Sequence, residues 1–317
     1  MKFRTEIPLP SYPFRVDYHS KVYGLGSCFV DNMRTKFAYY QFQHRINDFG
    51  VIFNPASINI LVNRILKQDF FTENDIFQHQ NIWKSFDLHS VMNHPEQTEI
   101  LKRINTKLQE NSSFIRQADL IIFTLGTAWV YRHKKSQKIV ANCHKIAGNE
   151  FDKILLSPTE IINSLSQMKD MVFTANPRAK ILFSISPVRH LKDGFVDNQR
   201  SKAHLLTAVH NIVDHEKSFY FPAYEILMDD LRDYRFYDFD MIHPNLTAID
   251  YIWQIFQESL IDKKAFSVMS EIDKINKALQ HKAFNPDSEA YQKHLKNTLQ
   301  KIKKLQREYS WMKFDLE

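Results

Sequence analysis

Ser27 and Cys28 stand side by side in VYGLGSCFV, residues 22–30, where a short apolar run ends in Gly26 and a helical pattern begins at once. A strand-to-helix turn of this kind is an economical way to expose a nucleophile. The glycine permits the turn. The first amides of the helix favour a thiolate or an oxyanion. Either side chain could attack. The plainer alternative is that Cys28 packs inward as a small apolar residue. A second candidate lies near the other end of the chain. In DFDMIHPN, residues 238–245, Asp240 precedes His243 by three positions, just ahead of a helix. A carboxylate at that spacing can fix an imidazole in one tautomer and orient it as a general base. It can equally cap a loop and leave His243 at the surface. In SISPVRHLKDG, Ser186, Arg189 and His190 follow a strand-like run, where Arg189 could hold an anionic or sugar substrate or pair with a surface carboxylate. Cys143 and His144 are adjacent in VANCHK; neighbouring side chains diverge, so a lining role suits them better than a dyad.

These residues need a scaffold, and the chain alternates strand and helix patterns. KVYGLG reads as a short buried strand, and FVDNMRTKFAYYQF as a helix. NDFGVIFNPAS is a loop whose Asn54-Pro55 opens the next helix. Residues 70–95 read as aromatic and irregular, and a helix is expected over 98–117. DLIIFTLG and AKILFSISP are apolar runs of buried strands, each followed after an interval by a helical pattern, and SFYFPAY is a further strand. The absence of hairpin signals in the middle of the chain points to a parallel α/β sheet. Beyond Asp262 two apolar stripes recur at helical spacing, Val268, Ile272, Ile275, Leu279 and then Tyr291, Leu295, Leu299, Ile302, Leu305. They predict a helical extension over 263–317 that follows an α/β domain over 1–262.

Composition narrows the classes. The 317 residues are 44% apolar, 25% charged and 13% aromatic, as in a folded protein with a bulky core. No apolar run approaches the ~18 residues of a membrane span, and the N-terminus lacks the apolar stretch of a secretory signal. Two cysteines make no disulfide framework and fit a reducing cytoplasm. No ligand spacing suggests a metal, and no cofactor is expected. A net charge of +6 is read as a solvated basic surface and not as a nucleic-acid footprint. Only six glycines occur, and Gly26 and Gly126 each close an apolar run, where open α/β sheets carry their ligand loops.

GLGSCFVDNM, NDFGVIFNPASI, TLGTAWVY, VANCHK, SISPVRHLKDG, NQRSKAHLL and YRFYDFDMIHPN, in this order, resemble the motifs of the GSCFA-domain family over roughly residues 1–260. Val30 stands where the family's name has Ala. That family is similar to the SGNH (GDSL-like) hydrolases. The resemblance implies a flavodoxin-like, three-layer α/β/α fold with a parallel sheet. It puts Cys28 in the nucleophile's place, Ser27 beside it, and Asp240 and His243 in the terminal Asp-x-x-His. It gives Gly50 as the main-chain oxyanion donor and sets the Gly-x-Asn block on Gly126, Thr127 and Ala128. Ala128 has no side-chain donor, so Thr127 or Asn54 is a candidate replacement. The implied activity is ester hydrolysis or acyl transfer, on a small-molecule or carbohydrate ester. The rival is a binding module on the same fold. Membrane and nucleic acid are not expected partners; the C-terminal helices are expected to pack on the body or on a second copy of the chain, which makes a homo-oligomer possible.

Overall fold

The computed structural model describes residues 4–281, 284–285 and 287–314. In chain order its elements are β1 (Lys21–Gly26), α1 (Cys28–Tyr39), β2 (Gln43–Ile46), α2 (Pro55–Lys67), β3 (Phe77–His79), β4 (Ile82–Lys84), α3 (Gln97–Ile115), β5 (Leu120–Leu125), β6 (Trp129–His133), β7 (Ile139–Val140), β8 (Phe151–Leu155), α4 (Pro158–Ala175), β9 (Lys180–Ile185), α5 (Phe195–Ile212), β10 (Ser218–Phe221), a short turn α6 (Ala223–Glu225), α7 (Leu246–Leu260), α8 (Ala265–Gln280) and α9 (Glu289–Glu308).

Five strands form one parallel sheet in the order β2-β1-β5-β9-β10. Both faces are covered, which is why its inner strands read as unbroken apolar runs. Successive side chains point to opposite faces. Tyr23, Leu25, Ile121, Phe123, Ile181 and Phe183 pack under α2, α3, α4 and α5. Val22, Ile46, Leu120, Ile122, Leu182 and Phe221 pack under α1 and α7. The fold is thus the three-layer α/β/α arrangement with a parallel sheet, plus C-terminal helices.

Helix starts follow local chemistry. Asn54 accepts from the Ser57 amide at 2.8 Å with Pro55 in the first turn of α2. Ser157 and Glu160 form a reciprocal capping box on α4. Asn245 caps α7 by accepting from the Ala248 amide at 3.0 Å.

Two expectations from the sequence are corrected. The middle of the chain does contain antiparallel pairs: β3 with β4, and the three-stranded set β7-β6-β8. Their strands are short and half-exposed, so neither an apolar run nor a tight-turn dipeptide marks them. The segment QHRI, which the helix-then-loop reading passed over, is the edge strand β2. Only Ile46 of its four residues is buried, as suits an edge.

The tail packs against the body. Met269, Ile272 and Ile275 of α8 and Ile302 and Leu305 of α9 join the cluster that holds Phe37, Trp253 and Phe256. Ile272 has no exposed surface. An Ile272→Ala protein should lose about 2–5 kcal/mol of unfolding free energy, read as a lower urea midpoint. A midpoint equal to the wild type's would show the tail detached in solution.

Candidate active site at the C-terminal edge of the sheet

The site begins where β1 ends. Gly26 has φ +155°, and a Cβ there would stand 2.3 Å from the Thr124 carbonyl oxygen, so only glycine fits this close approach of β1 to β5. Asn47, itself left-handed at φ 53°, accepts from the Gly26 amide at 2.9 Å and donates to the Gly26 carbonyl at 3.2 Å. The next amide, Ser27 N–H, bonds Thr124 O at 3.0 Å. The turn is therefore held by backbone bonds on both sides.

Ser27 is the N-cap of α1. It is 1% exposed, and its hydroxyl accepts from the Phe29 amide at 3.2 Å. Its oxygen is thus engaged and shielded. Cys28, the first helical residue, is half-exposed. Its backbone N–H has no acceptor among the described residues, as befits a first-turn amide. The helix N-terminus was expected to bring the thiol below its ordinary value. Instead burial dominates and pushes it up, with Asp31 adding to the rise; its own amide, Lys202 and the Phe29 amide pull the other way.

His243 and Asp240 meet. Nδ1 of His243 lies 2.6 Å from Asp240 Oδ2, while Asp240 Oδ1 accepts from the Ile242 and His243 amides at 2.9 Å each. The backbone bond from His243, then the ring, hold the Asp240 carboxyl down at about 2. With the carboxylate ionised, Nδ1 carries the proton and Nε2 is left as the base. The ring is 45% exposed, and no hydrogen bond joins it to Ser27 or Cys28. Arg189 N–H donates to Ile242 O at 3.2 Å, tying this loop to the one after β9.

The expected oxyanion donors are mostly engaged. Gly50 N–H bonds Asn47 O at 2.8 Å, closing the turn in which Gly50 takes φ +80°. Asn54 uses its side chain on Ser57, through Oδ1 at 2.8 Å and Nδ2 at 3.0 Å. Gly126 N–H bonds Phe53 O at 2.7 Å. The Thr127 hydroxyl lies 2.9 Å from Ser201 Oγ and accepts from the Trp129 amide at 3.0 Å. One backbone N–H serves one strong acceptor, so Gly50 and Gly126 cannot hold an oxyanion as placed, whereas the Asn54 amide has two N–H groups and spends one of them on Ser57. The Thr127 backbone N–H, by contrast, has no acceptor among the described residues. It sits just past the end of β5, the strand that neighbours the β1–Cys28 turn.

Arg189 makes no ion pair among the described residues; its guanidinium lies 5.6 and 5.5 Å from the Phe195 and Tyr237 ring centres, beside a cavity of 370 Å³. A larger cleft of 650 Å³ is lined by Phe53, Asn54, Thr127, Trp129, Cys143 and His190, among others. His144 also lines it, with Nε2 2.7 Å from Ser85 O.

His190, which the sequence placed beyond the strand end without a role, stacks on Phe53 at 5.2 Å, with its Nε2 buried and unpartnered among the described residues, and Lys202 escaped the sequence reading altogether. Burial foremost, then the charges of Lys202 and His243, press His190 to about 3, so it is neutral at physiological pH. Lys202 has no exposed surface at all, and its Nζ donates to Gly126 O at 2.8 Å and Ser186 O at 2.7 Å. A signal was present. Ile212, Val209, Ala208 and Leu205 mark the buried stripe of α5, and continuing it backward reaches Lys202, Ser201 and Asn198. Polar residues on a core stripe are candidates for a site.

The sequence model of the GSCFA family matches residues 21–256, and that of the C-terminal domain of GSCFA proteins matches residues 272–317. The chain belongs to the GSCFA family. The strand order β2-β1-β5-β9-β10 is the flavodoxin-like order that the resemblance implied. No curated protein matches it. Among solved structures it is similar to a family 3 carbohydrate esterase from Talaromyces cellulolyticus, at 12% identity and TM-score 0.35, over 80% of this chain and 99% of that one. A family 3 carbohydrate esterase from Clostridium thermocellum is similar at 10% identity and TM-score 0.33, over 79% and 97%. An acetyl xylan esterase from Butyrivibrio proteoclasticus gives 11% and 0.33, over 68% and 56%. At these scores the likeness transfers no substrate to this GSCFA chain. No helix among the described residues is long and apolar enough to cross a membrane.

Proposed function

We propose that this GSCFA protein hydrolyses an ester, or transfers its acyl group, through a thioester at Cys28. The observation that carries the reading is the 2.6 Å Asp240–His243 pair, in a loop bonded to the β9 loop at the sheet edge that bears the Gly26–Cys28 turn. Cys28 Sγ attacks the acyl carbonyl as His243 Nε2 takes the thiol proton. The backbone amides of Cys28 and Thr127 hold the developing oxyanion. Collapse breaks the bond to the leaving oxygen, which receives the proton from His243. Water or a sugar hydroxyl, deprotonated by His243 in turn, then attacks the thioester; the C–S bond breaks and Cys28 Sγ takes the proton back from His243. The cleft with Trp129, Phe53 and Asn54 offers aromatic faces and amide groups, which suit a sugar ring.

A second reading, a binding module, is favoured by the engaged hydroxyl of Thr127 and by Ala128, which has no side-chain donor. One experiment separates the two. The protein is mixed with an acetylated monosaccharide, quenched in acid and digested for mass spectrometry. Catalysis predicts one acetyl group on the Cys28 peptide and released acetate; unmodified Cys28 with measurable sugar binding would leave the module.

A further inference from the structure

Lys202 presents an unusual hydrogen-bond inventory. It is fully buried on α5 beneath the strand ends, bonded to the carbonyls that follow β5 and β9. Two carbonyls satisfy the two N–H groups of a neutral amine and leave its lone pair unused. They leave an ammonium with one N–H to spare. A buried ammonium needs an anion, yet no carboxylate stands within ion-pair distance of Lys202 among the described residues. The Tyr224 ring lies 5.5 Å from Nζ, His190 stands against the same Gly126 that Lys202 binds, and Cys28 follows Ser27, whose amide is bonded to Thr124 O, two residues before Gly126. Cys28 is the acid whose negative charge favours the protonated lysine. The same β5 end binds both partners: Thr124 O takes the Ser27 amide, and Gly126 O takes Lys202.

We propose that Lys202 is a positioning residue acting through Cys28: it is the buried counter-charge of the thiolate, so that the two groups ionise together. The inference rests on Cys28 being the nucleophile of the proposed reaction. Thiol with amine and thiolate with ammonium carry the same net charge, so the site passes between them without a change in total charge. Burial opposes either ion alone and raises the thiol while it lowers the lysine to about 7. Asp31, on the same helix as Cys28, opposes the thiolate, which increases the need for a cation on the other side. Titrations of such a pair belong to the pair and not to either member.

The test follows Cys28 alkylation by iodoacetamide against pH, read by mass spectrometry. In Lys202→Met, similar in volume, the midpoint should rise by at least about one pH unit, a roughly tenfold slower reaction near neutrality. The same profile in a folded Lys202→Met protein, checked by circular dichroism, overturns the inference and leaves Cys28 as nucleophile untouched. A second measurement does not need that variant to fold. Wild type and Cys28→Ala are labelled with ¹³Cε-lysine, and the assigned Lys202 resonance is titrated. Its midpoint should fall when the thiol is removed; an unchanged midpoint shows no coupling and overturns the inference. If wild-type Cys28 never alkylates, the proposed reaction fails, while the lysine titration still decides whether the two groups are linked.

Discussion

Cys28→Ala should hydrolyse an acetylated sugar at least ~10³-fold more slowly than the wild type, because the covalent route is removed and only binding and oxyanion contacts remain. The loss should appear in kcat with little change in KM. Stability should scarcely move, since Cys28 is half-exposed and the substitution removes one sulfur. Ser27→Ala should do the reverse. It deletes the N-cap bond to the Phe29 amide, at a cost of about 0.5–2 kcal/mol in unfolding free energy, while acylation at Cys28 persists. The pair of variants separates the adjacent candidates: a dead Ser27→Ala enzyme with an active Cys28→Ala enzyme would move the nucleophile to the hydroxyl.

Replacing His243 by alanine should lower kcat/KM by about 10²–10⁴, the usual worth of a positioned acid–base. Asp240→Asn should lose a large part of the same factor. Its amide oxygen can still accept from the Ile242 and His243 backbone, but it no longer holds the ring proton at Nδ1 as a carboxylate does. The pH dependence follows from sign. Asp240 is depressed in the folded state, so its contribution is present above the ordinary carboxylate value and is lost only as pH falls towards about 2. The acid limb of the activity profile, measured between pH 4 and 8, should therefore be unchanged in position by the Asp240 titration. A limb governed by a group near pH 4 that vanishes in Asp240→Asn would contradict the assignment.

What the sequence made legible was whatever depends on local pattern. The runs DLIIFTLG and AKILFSISP are buried on both faces and read directly as β5 and β9. The stripe in LTAIDYIWQIFQESL gave the bounds of α7. Asp240 and His243 pair through a contact three residues long, so their spacing carried the geometry. Features that depend on distant partners were not legible. β2 is defined by its pairing with β1 and not by its own mostly polar residues. Gly50 was matched by motif as an oxyanion donor, but its amide is taken by Asn47, a competition that spacing does not reveal. Lys202 reads as an ordinary surface lysine until the stripe of α5 is continued and its two carbonyl acceptors, 76 and 16 positions away, are seen.

The far end of α1 carries a further meaning. Tyr39 donates its hydroxyl to Asp273 at 2.8 Å and accepts Asn276 on its carbonyl at 2.9 Å, and Trp311 Nε1 bonds Gln41 O at 3.1 Å. One helix thus begins at the proposed nucleophile and finishes against α8, with Trp311 bonded just beyond its end. An expression boundary drawn at the end of the first family match would strip Tyr309 from Tyr18 and the α8 and α9 side chains from the apolar cluster they complete, and invite self-association. Two segments that sequence comparison treats as separate are, for breeding new variants, a single heritable unit: exchanging the tail between relatives requires exchanging the matching side of α1 with it.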